Sequence, residues 1–179
     1  MKQILSKSVV LIGLMGTGKS AVGKKLSRKL GLLFSDSDEK IEQFCGKSIA
    51  QIFNDSGEAY FRKLEEKVFC EIFEKGPHII ASGGGTILSA RARQFISDRS
   101  YSIWLKSDCE KILSRINENN DRPLLSTSNP REIINILLNE RRKFYCKADF
   151  HLENGEKSIE SLTVEITEKL TKEKVLTYE

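Results

Sequence analysis

Residues 13–20 carry the first pattern in this chain whose residue types and spacing could do chemistry. They have the sequence Gly-Leu-Met-Gly-Thr-Gly-Lys-Ser and match G-x-x-x-x-G-K-[ST] in full. Glycines in such a loop let successive backbone N–H groups turn toward a phosphate at the positive end of a helix. Lys19 would supply charge to the β and γ phosphates, and the Ser20 hydroxyl would ligate Mg²⁺. The alternative, a glycine-rich turn with a surface lysine, is disfavoured because a predicted strand precedes the loop and a predicted helix follows it.

Two carboxylates, Asp36 and Asp38, follow the next short apolar run. If the backbone stays extended, side chains two residues apart point to the same side. Phosphoryl transfer needs one acid to hold magnesium and its water shell, and another to orient the acceptor hydroxyl and accept its proton. These two carboxylates could divide that work. The alternative is that Ser37 or Asp38 is the N-cap of a helix opening at Glu39.

The elements that position these residues are short β-rich runs alternating with longer amphipathic stretches. Strands separated by helical connections pair in parallel, so the pattern predicts an α/β fold: a three-layer sandwich with a five-stranded parallel sheet and helices on both faces. Ligands of such sheets bind beyond the carboxyl ends of the strands. The predicted strands are Ser8–Ile12, Leu32–Phe34, His78–Ala81, Tyr101–Leu105 and Phe150–Leu152. The predicted helices are Lys19–Leu30, Asp38–Cys45, Ser48–Asn54, Glu58–Glu74, Ser89–Ile96, Asp108–Asn117, Arg131–Tyr145 and Ile159–Leu170.

Composition bounds the function classes. With 179 residues the chain fits a single domain over 1–179, and 29 basic against 25 acidic side chains give a net charge of only +4. That excess does not indicate a nucleic-acid or membrane partner. No apolar run approaches the length of a membrane span and no signal peptide is evident, so we expect a cytoplasmic protein. The four widely spaced cysteines predict free thiols, and His78 and His151 lack zinc-type partners.

From the phosphate loop to about Tyr145, the chain resembles the shikimate kinases. Any one of the shared motifs except the phosphate loop would be weak evidence, but their order along the chain is jointly specific. The matching segments are residues 13–20, Asp36-Ser37-Asp38, Ser48–Phe53, Gly57-Glu58, Phe61-Arg62 with Glu65, Gly83-Gly84-Gly85, Arg122-Pro123-Leu124-Leu125, and Glu140-Arg141 with Tyr145.

The resemblance implies a P-loop fold like that of nucleoside monophosphate kinases. It also implies transfer of the ATP γ-phosphoryl group to the 3-hydroxyl of shikimate, with Mg²⁺ required and a monomeric enzyme expected. Asp38 would act as the acceptor's base, and Asp36 with Ser20 would hold the metal, with Ser82 close by. The implied nucleotide-binding residues are Gly13, Gly16, Thr17, Gly18, Lys19, Ser20, Ala21, Arg115 and Arg122. The implied shikimate-binding residues are Asp38, Arg62, Gly83, Gly84, Gly85 and Arg141.

The chemistry agrees with these implied roles. A guanidinium fork matches a carboxylate through two parallel hydrogen bonds, which suits Arg62 and Arg141. Glu65, three residues after Arg62 on a predicted helix, can hold that arginine's orientation. By the same resemblance the segment about 37–65 would bind the substrate, and Arg115 would stack on adenine. The turn at Glu153–Lys157 lacks the Arg/Pro-containing sequence common in the family, so the other wall of the adenine pocket is not assigned.

Between two predicted helices, the polar segment about 117–130 is expected to form a mobile lid. Closing such a loop over the nucleotide excludes water, and Arg122 would neutralise charge on the transferring oxygens; with Lys19 and Asp38 it completes the implied catalytic set. Arg122 could instead cap a helix end. The tail from Glu160 is expected to be an amphipathic helix with a frayed end. Two other functions stay open: another small kinase, such as a gluconate or nucleoside monophosphate kinase, and an ATP-dependent regulatory module.

Overall fold

The structure is a computed structural model that describes residues 3–117 and 129–178. Its strands are β1 Gln3–Leu5, β2 Ser8–Ile12, β3 Phe34–Asp36, β4 Ile79–Ala81, β5 Ser100–Lys106, β6 Phe150–Glu153 and β7 Leu176–Tyr178. Its helices are α1 Lys19–Leu30, α2 Ser37–Cys45, α3 Ile49–Ile72, α4 Ala90–Arg99, α5 Cys109–Asn117, α6 Pro130–Tyr145 and α7 Ile159–Lys172. Short 3₁₀ segments lie at Phe73–Lys75 and Thr86–Leu88.

Five strands form the predicted parallel sheet, in the order β3-β4-β2-β5-β6. Strand β2 lies at its centre, and all five of its residues are buried. A strand covered on both faces has a continuous apolar sequence rather than an alternating one, and the run Val9–Ile12 is of this kind. Central β2 ends where residues 13–20 begin, so the phosphate loop lies at the carboxyl edge of the sheet.

Helices cover both faces of this sheet and make the three predicted layers. On one face, residues of α1 and α7 pack on the strands in a core that includes Leu26 and Ile166. The opposite core joins α2, α3, α4 and α6, and includes Ile41 and Phe69. A smaller cluster packs α5 against α6 beside the phosphate loop. The helices that carry the predicted substrate residues therefore share one face of the sheet.

The predicted arrangement of Asp36 and Asp38 on one extended strand is wrong. Strand β3 covers Phe34–Asp36 rather than the predicted Leu32–Phe34, and helix α2 begins at Ser37. Asp36 is itself the N-cap, since its Oδ1 accepts from the backbone N–H groups of Asp38 (3.0 Å) and Glu39 (3.4 Å). Neither Ser37 nor Asp38 is the cap. An aspartate at this position satisfies helix donors that an extended chain would leave unpaired, which favours helix immediately after it.

The predicted frayed tail is also wrong at its end. After α7, the chain forms strand β7, which pairs antiparallel with β1 and makes a second, two-stranded sheet. Two three-residue strands at opposite ends of a chain show no local pattern that would identify them. The predicted helices Ser48–Asn54 and Glu58–Glu74 form one element, α3, interrupted at Gly57, whose φ of +75° breaks the helical geometry.

The prediction of free thiols is confirmed within the described residues. All four cysteines are unpaired. In residues 3–117 and 129–178, no helix is long and apolar enough to cross a bilayer.

Candidate active site

The phosphate loop has the backbone geometry that its glycines predict. Gly16 and Gly18 have φ values of +76° and +86°, a region that other residues rarely occupy. Lys19 is 8% exposed, and its Nζ donates to the carbonyl oxygens of Gly13 (2.9 Å) and Leu14 (2.8 Å). The ammonium group is therefore held over the loop by the loop's own backbone, at the N-terminus of α1, where an anion is stabilised. Gly13 closes the loop against β5, since a Cβ on it would lie 2.8 Å from the Leu105 oxygen.

The two residues predicted to hold the metal are in contact. The Ser20 hydroxyl, on the first turn of α1, donates to Asp36 Oδ2 at 2.5 Å. Asp36 is only 6% exposed because it ends β3 and caps α2 at the same time. A hydroxyl and a carboxylate are oxygen donors of the kind that Mg²⁺ prefers, and Mg²⁺ commonly takes only one or two protein ligands plus phosphate oxygens and water. Among the described residues, no cluster of three or more His, Cys, Asp or Glu side chains could hold a metal ion by itself.

A cavity of about 380 Å³ runs from the end of the phosphate loop to the two predicted substrate arginines. Its wall includes Ser20 and Asp36 at the phosphate end, and Arg62 and Arg141 at the far end. Asp38, on the first turn of α2, also lines the cavity. The remaining lining residues are Met15, Glu39, Glu42, Ser48, Ile49, Ala50, Phe53, Phe61, Glu65, Gly84 and Gly85. Most of these belong to α2 and α3, within the segment 37–65 that was expected to bind substrate.

Arg62 reaches this cavity already paired with two carboxylates of its own helix. Its Nη1 donates to Glu65 Oε2 at 2.7 Å, and its Nε and Nη2 donate to Glu58 Oε1 at 3.2 and 3.1 Å. Burial lowers the pKa of Arg62, but the neighbouring Glu65 and Glu58 outweigh it and raise the pKa above its ordinary value. Glu65 is 3% exposed and also accepts from the Thr86 hydroxyl at 3.0 Å. Glu65 therefore contacts Arg62, as its predicted orienting role requires, and Thr86 is an additional partner of Glu65.

Arg141 is buried more deeply than Arg62, with 3% exposure. Its Nη1 donates to the Gly84 carbonyl at 2.9 Å, and the Tyr145 hydroxyl donates to the same oxygen at 2.9 Å. Burial raises the pKa of Tyr145 to about 12, although the adjacent Arg141 lowers it in part. The Arg141 Nε has no hydrogen-bond partner among the described residues. Arg141 also lines the cavity, and a guanidinium in such a wall can bind an anionic ligand group.

The three consecutive glycines leave room for these side chains. A Cβ on Gly83 would lie 2.5 Å from Glu65 Oε1 and 2.6 Å from Asp38 Oδ1, and a Cβ on Gly85 would collide with the Arg62 guanidinium. The Gly83 N–H donates to the Ser37 hydroxyl at 2.7 Å, which ties the glycine segment to α2. The sequence predicts that a ligand approaches these glycines closely. In the structure, side chains of the protein itself approach them closely.

A further basic side chain lies near the phosphate loop. Arg115, on α5, donates from Nη1 to the Gly16 carbonyl at 3.2 Å, so its guanidinium lies beside the phosphate loop. Thr17 is buried in the loop, and Ala21 lies exposed on the first turn of α1. Ser82 is buried and donates to the Leu11 carbonyl at 3.1 Å, away from the cavity wall. Arg122, and the lid to which it was assigned, lie outside the described residues.

Three residues with clear roles in this architecture were not assigned one from the sequence: Glu58, Tyr145 and Asn154. Tyr145 was part of a matching motif, but its partner, the Gly84 carbonyl, is 61 positions away. Asn154 follows β6 and donates to the Thr17 carbonyl at 2.6 Å. No local sequence pattern predicts contacts between residues so far apart in the chain. Only Glu58, four residues before Arg62 on the same helix, could have been found from its spacing.

Comparison with known proteins agrees with this geometry. The family model described as "Shikimate kinase" matches residues 15–171. A shikimate kinase of Cereibacter sphaeroides is 40% identical over 166 residues, covering 93% of this chain and 83% of its own length. Among solved structures, the shikimate kinase from Acinetobacter baumannii in complex with shikimate aligns with a TM-score of 0.91 at 33% identity, covering 94% of both chains. That from Aquifex aeolicus aligns with a TM-score of 0.80 at 40% identity, covering 93% of this chain and 98% of that one.

Proposed function

This chain belongs to the shikimate kinase family, and we propose that its cavity holds shikimate with the 3-hydroxyl facing the γ-phosphate of ATP bound on the phosphate loop. The reaction is transfer of the γ-phosphoryl group from ATP to shikimate, which yields shikimate 3-phosphate and ADP. The observation that carries the assignment of the binding mode is the shared cavity: Ser20 and Asp36 line one end of it, and Arg62 and Arg141 line the other.

At the acceptor end, the carboxylate of shikimate would bind to the two guanidinium groups. Arg141 supports this role because it lines the cavity, and a guanidinium fork matches a carboxylate through two parallel hydrogen bonds. Arg62 would use the edge now facing Glu58, whose side chain is 58% exposed and easily displaced, while Glu65 keeps hold of Nη1. Asp38 lines the same cavity, where it would accept a hydrogen bond from the reacting hydroxyl.

Mg²⁺ fits the phosphate end, where the Ser20 hydroxyl and Asp36 carboxylate would hold it. When bound, the ion would neutralise negative charge on the phosphates of the nucleotide. The protein contributes the rest: Lys19 and the loop amides bind the phosphates, and the buried position of Asp36 keeps its carboxylate pointed at Ser20.

Catalysis in this arrangement comes from positioning and from fixed charge. In-line attack needs the acceptor oxygen opposite the leaving β-phosphate, and the two arginines fix that oxygen by holding the other side of the shikimate ring. Because the transition state is loose, Asp38 need only orient the hydroxyl and accept its proton late. Arg115 would stack on the adenine, and Arg122, with the segment 117–130, would complete the site over the phosphates. We also propose that the enzyme is a monomer and acts in the cytoplasm.

The proposal is tested by measuring ADP release with ATP, Mg²⁺ and a panel of phosphoryl acceptors that includes shikimate, gluconate and nucleoside monophosphates. We expect release with shikimate alone, and loss of that release when its carboxylate is replaced by a neutral amide. Release with a different acceptor would assign the cavity to that acceptor. Nucleotide binding without turnover on any acceptor would indicate a regulatory module.

A further inference from the structure

Asn154 connects the edge of the sheet to the phosphate loop. It follows the last residue of β6 and is only 2% exposed. Its backbone N–H donates to the Lys106 carbonyl at 2.8 Å, which extends the β5–β6 pairing by one position. Its side-chain Nδ2 then donates to the Thr17 carbonyl at 2.6 Å. The phosphate loop is thereby tied to a strand end 137 positions away in the sequence.

Because the acceptor of this bond is the Thr17 carbonyl, the bond fixes the orientation of the Thr17–Gly18 peptide group. The Thr17 carbonyl and the Gly18 N–H are the two ends of one planar trans peptide group, so they point in opposite directions. Holding the carbonyl against Asn154 therefore fixes the Gly18 N–H on the opposite side of this peptide group, away from Asn154. Gly18 has φ +86° and ψ +15° and caps α1. Because glycine reaches positive and negative φ about equally, this peptide could otherwise rotate at little cost.

The second atom of the same amide shows which contact the asparagine contributes. Asn154 Oδ1 is buried without a hydrogen-bond partner among the described residues. Rotating the amide by half a turn would place that oxygen against the Thr17 carbonyl oxygen, so the present orientation is the one that Thr17 accepts. A buried unpaired acceptor is unfavourable, and a leucine of similar size would avoid it. The donated bond is the compensating interaction.

We propose that Asn154 is a positioning residue for phosphate binding, which holds the Thr17–Gly18 peptide so that the Gly18 N–H faces the phosphates of the nucleotide. This inference rests on the proposed function for the identity of the ligand. Asn154 would act through the backbone of the phosphate loop and not through contact with the base of the nucleotide. Arg115 lies on the same side, since a Cβ on Gly18 would be 3.5 Å from Asn154 Nδ2 and 3.7 Å from Arg115 Nη1.

The test uses two replacements of similar size. Asn154→Leu removes both the donor and the unpaired acceptor, and Asn154→Asp removes the donor and places a carboxylate oxygen near the carbonyl. We expect the Kd for ADP, measured by titration calorimetry, and the KM for ATP to rise about tenfold in Asn154→Leu and more in Asn154→Asp, while the KM for shikimate stays within about twofold. The kcat/KM values for ATP and GTP should fall by the same factor, because their phosphates are identical.

Ser158→Ala is the matched control. Ser158 caps α7 by accepting from the Ser161 N–H at 3.1 Å, so its loss destabilises the segment after β6 without removing the bond to Thr17. Its Kd for ADP should match that of the wild type. An unchanged Kd for ADP in Asn154→Leu overturns the proposal, as does an equal rise in Ser158→Ala. A loss confined to adenine nucleotides also overturns it, because Asn154 would then act on the base. If wild-type protein binds ADP but does not phosphorylate shikimate, the proposed function fails while this test stands.

Discussion

The two ends of the active-site cavity are built in different ways. At the phosphate end, nearly every functional group lies within residues 13–20, and the loop's own carbonyls hold Lys19 in place. At the acceptor end, Arg62 and Arg141 lie on different helices, and both contact the glycine segment. There the Gly84 carbonyl accepts from Arg141, and a Cβ on Gly85 would collide with Arg62. One end is a local motif, and the other is assembled by tertiary packing.

Because the two ends are built differently, we expect the two ligands to respond separately to mutation. In the proposed binding mode the loop would bind phosphates through its backbone geometry, which a side-chain change on α3 or α6 does not reach. The arginines would bind through side chains whose orientations depend on their neighbours. They also differ from each other: Arg62 is paired with two carboxylates, whereas the buried Arg141 Nε has no partner among the described residues.

Asp38→Asn should lower kcat by about 100-fold to 10,000-fold, because the amide keeps the size of the side chain but cannot accept the hydroxyl proton. Steady-state kinetics with shikimate measure this loss. The Kd for ADP should stay within about twofold of the wild type, since Asp38 lies on α2, outside the phosphate loop. An unchanged kcat would remove Asp38 from the acceptor site.

Arg141→Lys should raise the KM for shikimate by about 100-fold, since lysine keeps the charge but loses the planar fork and leaves buried polar groups unpaired. Arg62→Lys should raise it less, by about tenfold, because its neighbours Glu58 and Glu65 can pair with a lysine. Tyr145→Phe is the control, because it removes the other donor to the Gly84 carbonyl. If Tyr145→Phe raises the KM as much as Arg141→Lys does, Arg141 acts on the loop and not on the substrate.

Glu58→Gln should lower the KM for shikimate by about twofold, because it removes a carboxylate that competes for one edge of Arg62. The effect is small since an exposed pair of this kind contributes only about 0.2–1 kcal/mol. Glu71→Gln provides the control: Glu71 pairs with Lys67 at the same i,i+4 spacing farther along α3. Equal effects of the two substitutions would point to the charge of the helix and not to competition at Arg62.

The smallest effect is expected at the opposite end of the sheet. His78 is buried, its Nδ1–H donates to the Gly76 carbonyl at 2.7 Å, and its Nε2 accepts from the Ser35 hydroxyl at 3.1 Å. Burial lowers the pKa of His78 below its ordinary 6.5, although the bond to Gly76 partly opposes this. The unfolded chain then binds the proton more readily, so the free energy of unfolding falls as pH drops below about 6.5. Thermal melts from pH 7.5 to 5.5 should show a steeper fall in Tm for the wild type than for His78→Gln. Parallel curves would contradict this, and activity ratios at fixed pH should not differ.

Much of the fold could be predicted because its elements have strong local patterns. Val22, Leu26 and Leu30 recur at helical spacing, and helix α1 begins and ends where that pattern predicts. The strand Ser8–Ile12 was predicted with the correct bounds because it is a short, continuous apolar run. The boundary at Asp36 was missed because an aspartate fits a strand end and a helix cap equally well until its hydrogen bonds are known. Strands β1 and β7 were missed because each depends on a partner at the other end of the chain.

Within the candidate site, the phosphate loop could be identified from the sequence, since its glycines, lysine and serine lie within eight consecutive residues and set the local backbone geometry. The sequence also determined which arginines and carboxylates were candidates. Only the tertiary structure decided that Ser20 meets Asp36, that Arg141 and Tyr145 share the Gly84 carbonyl, and that Asn154 holds the Thr17 carbonyl. The physical reason is that a hydrogen bond has a range of about 3 Å. Partners distant in sequence come within that range only after the helices have packed on the sheet.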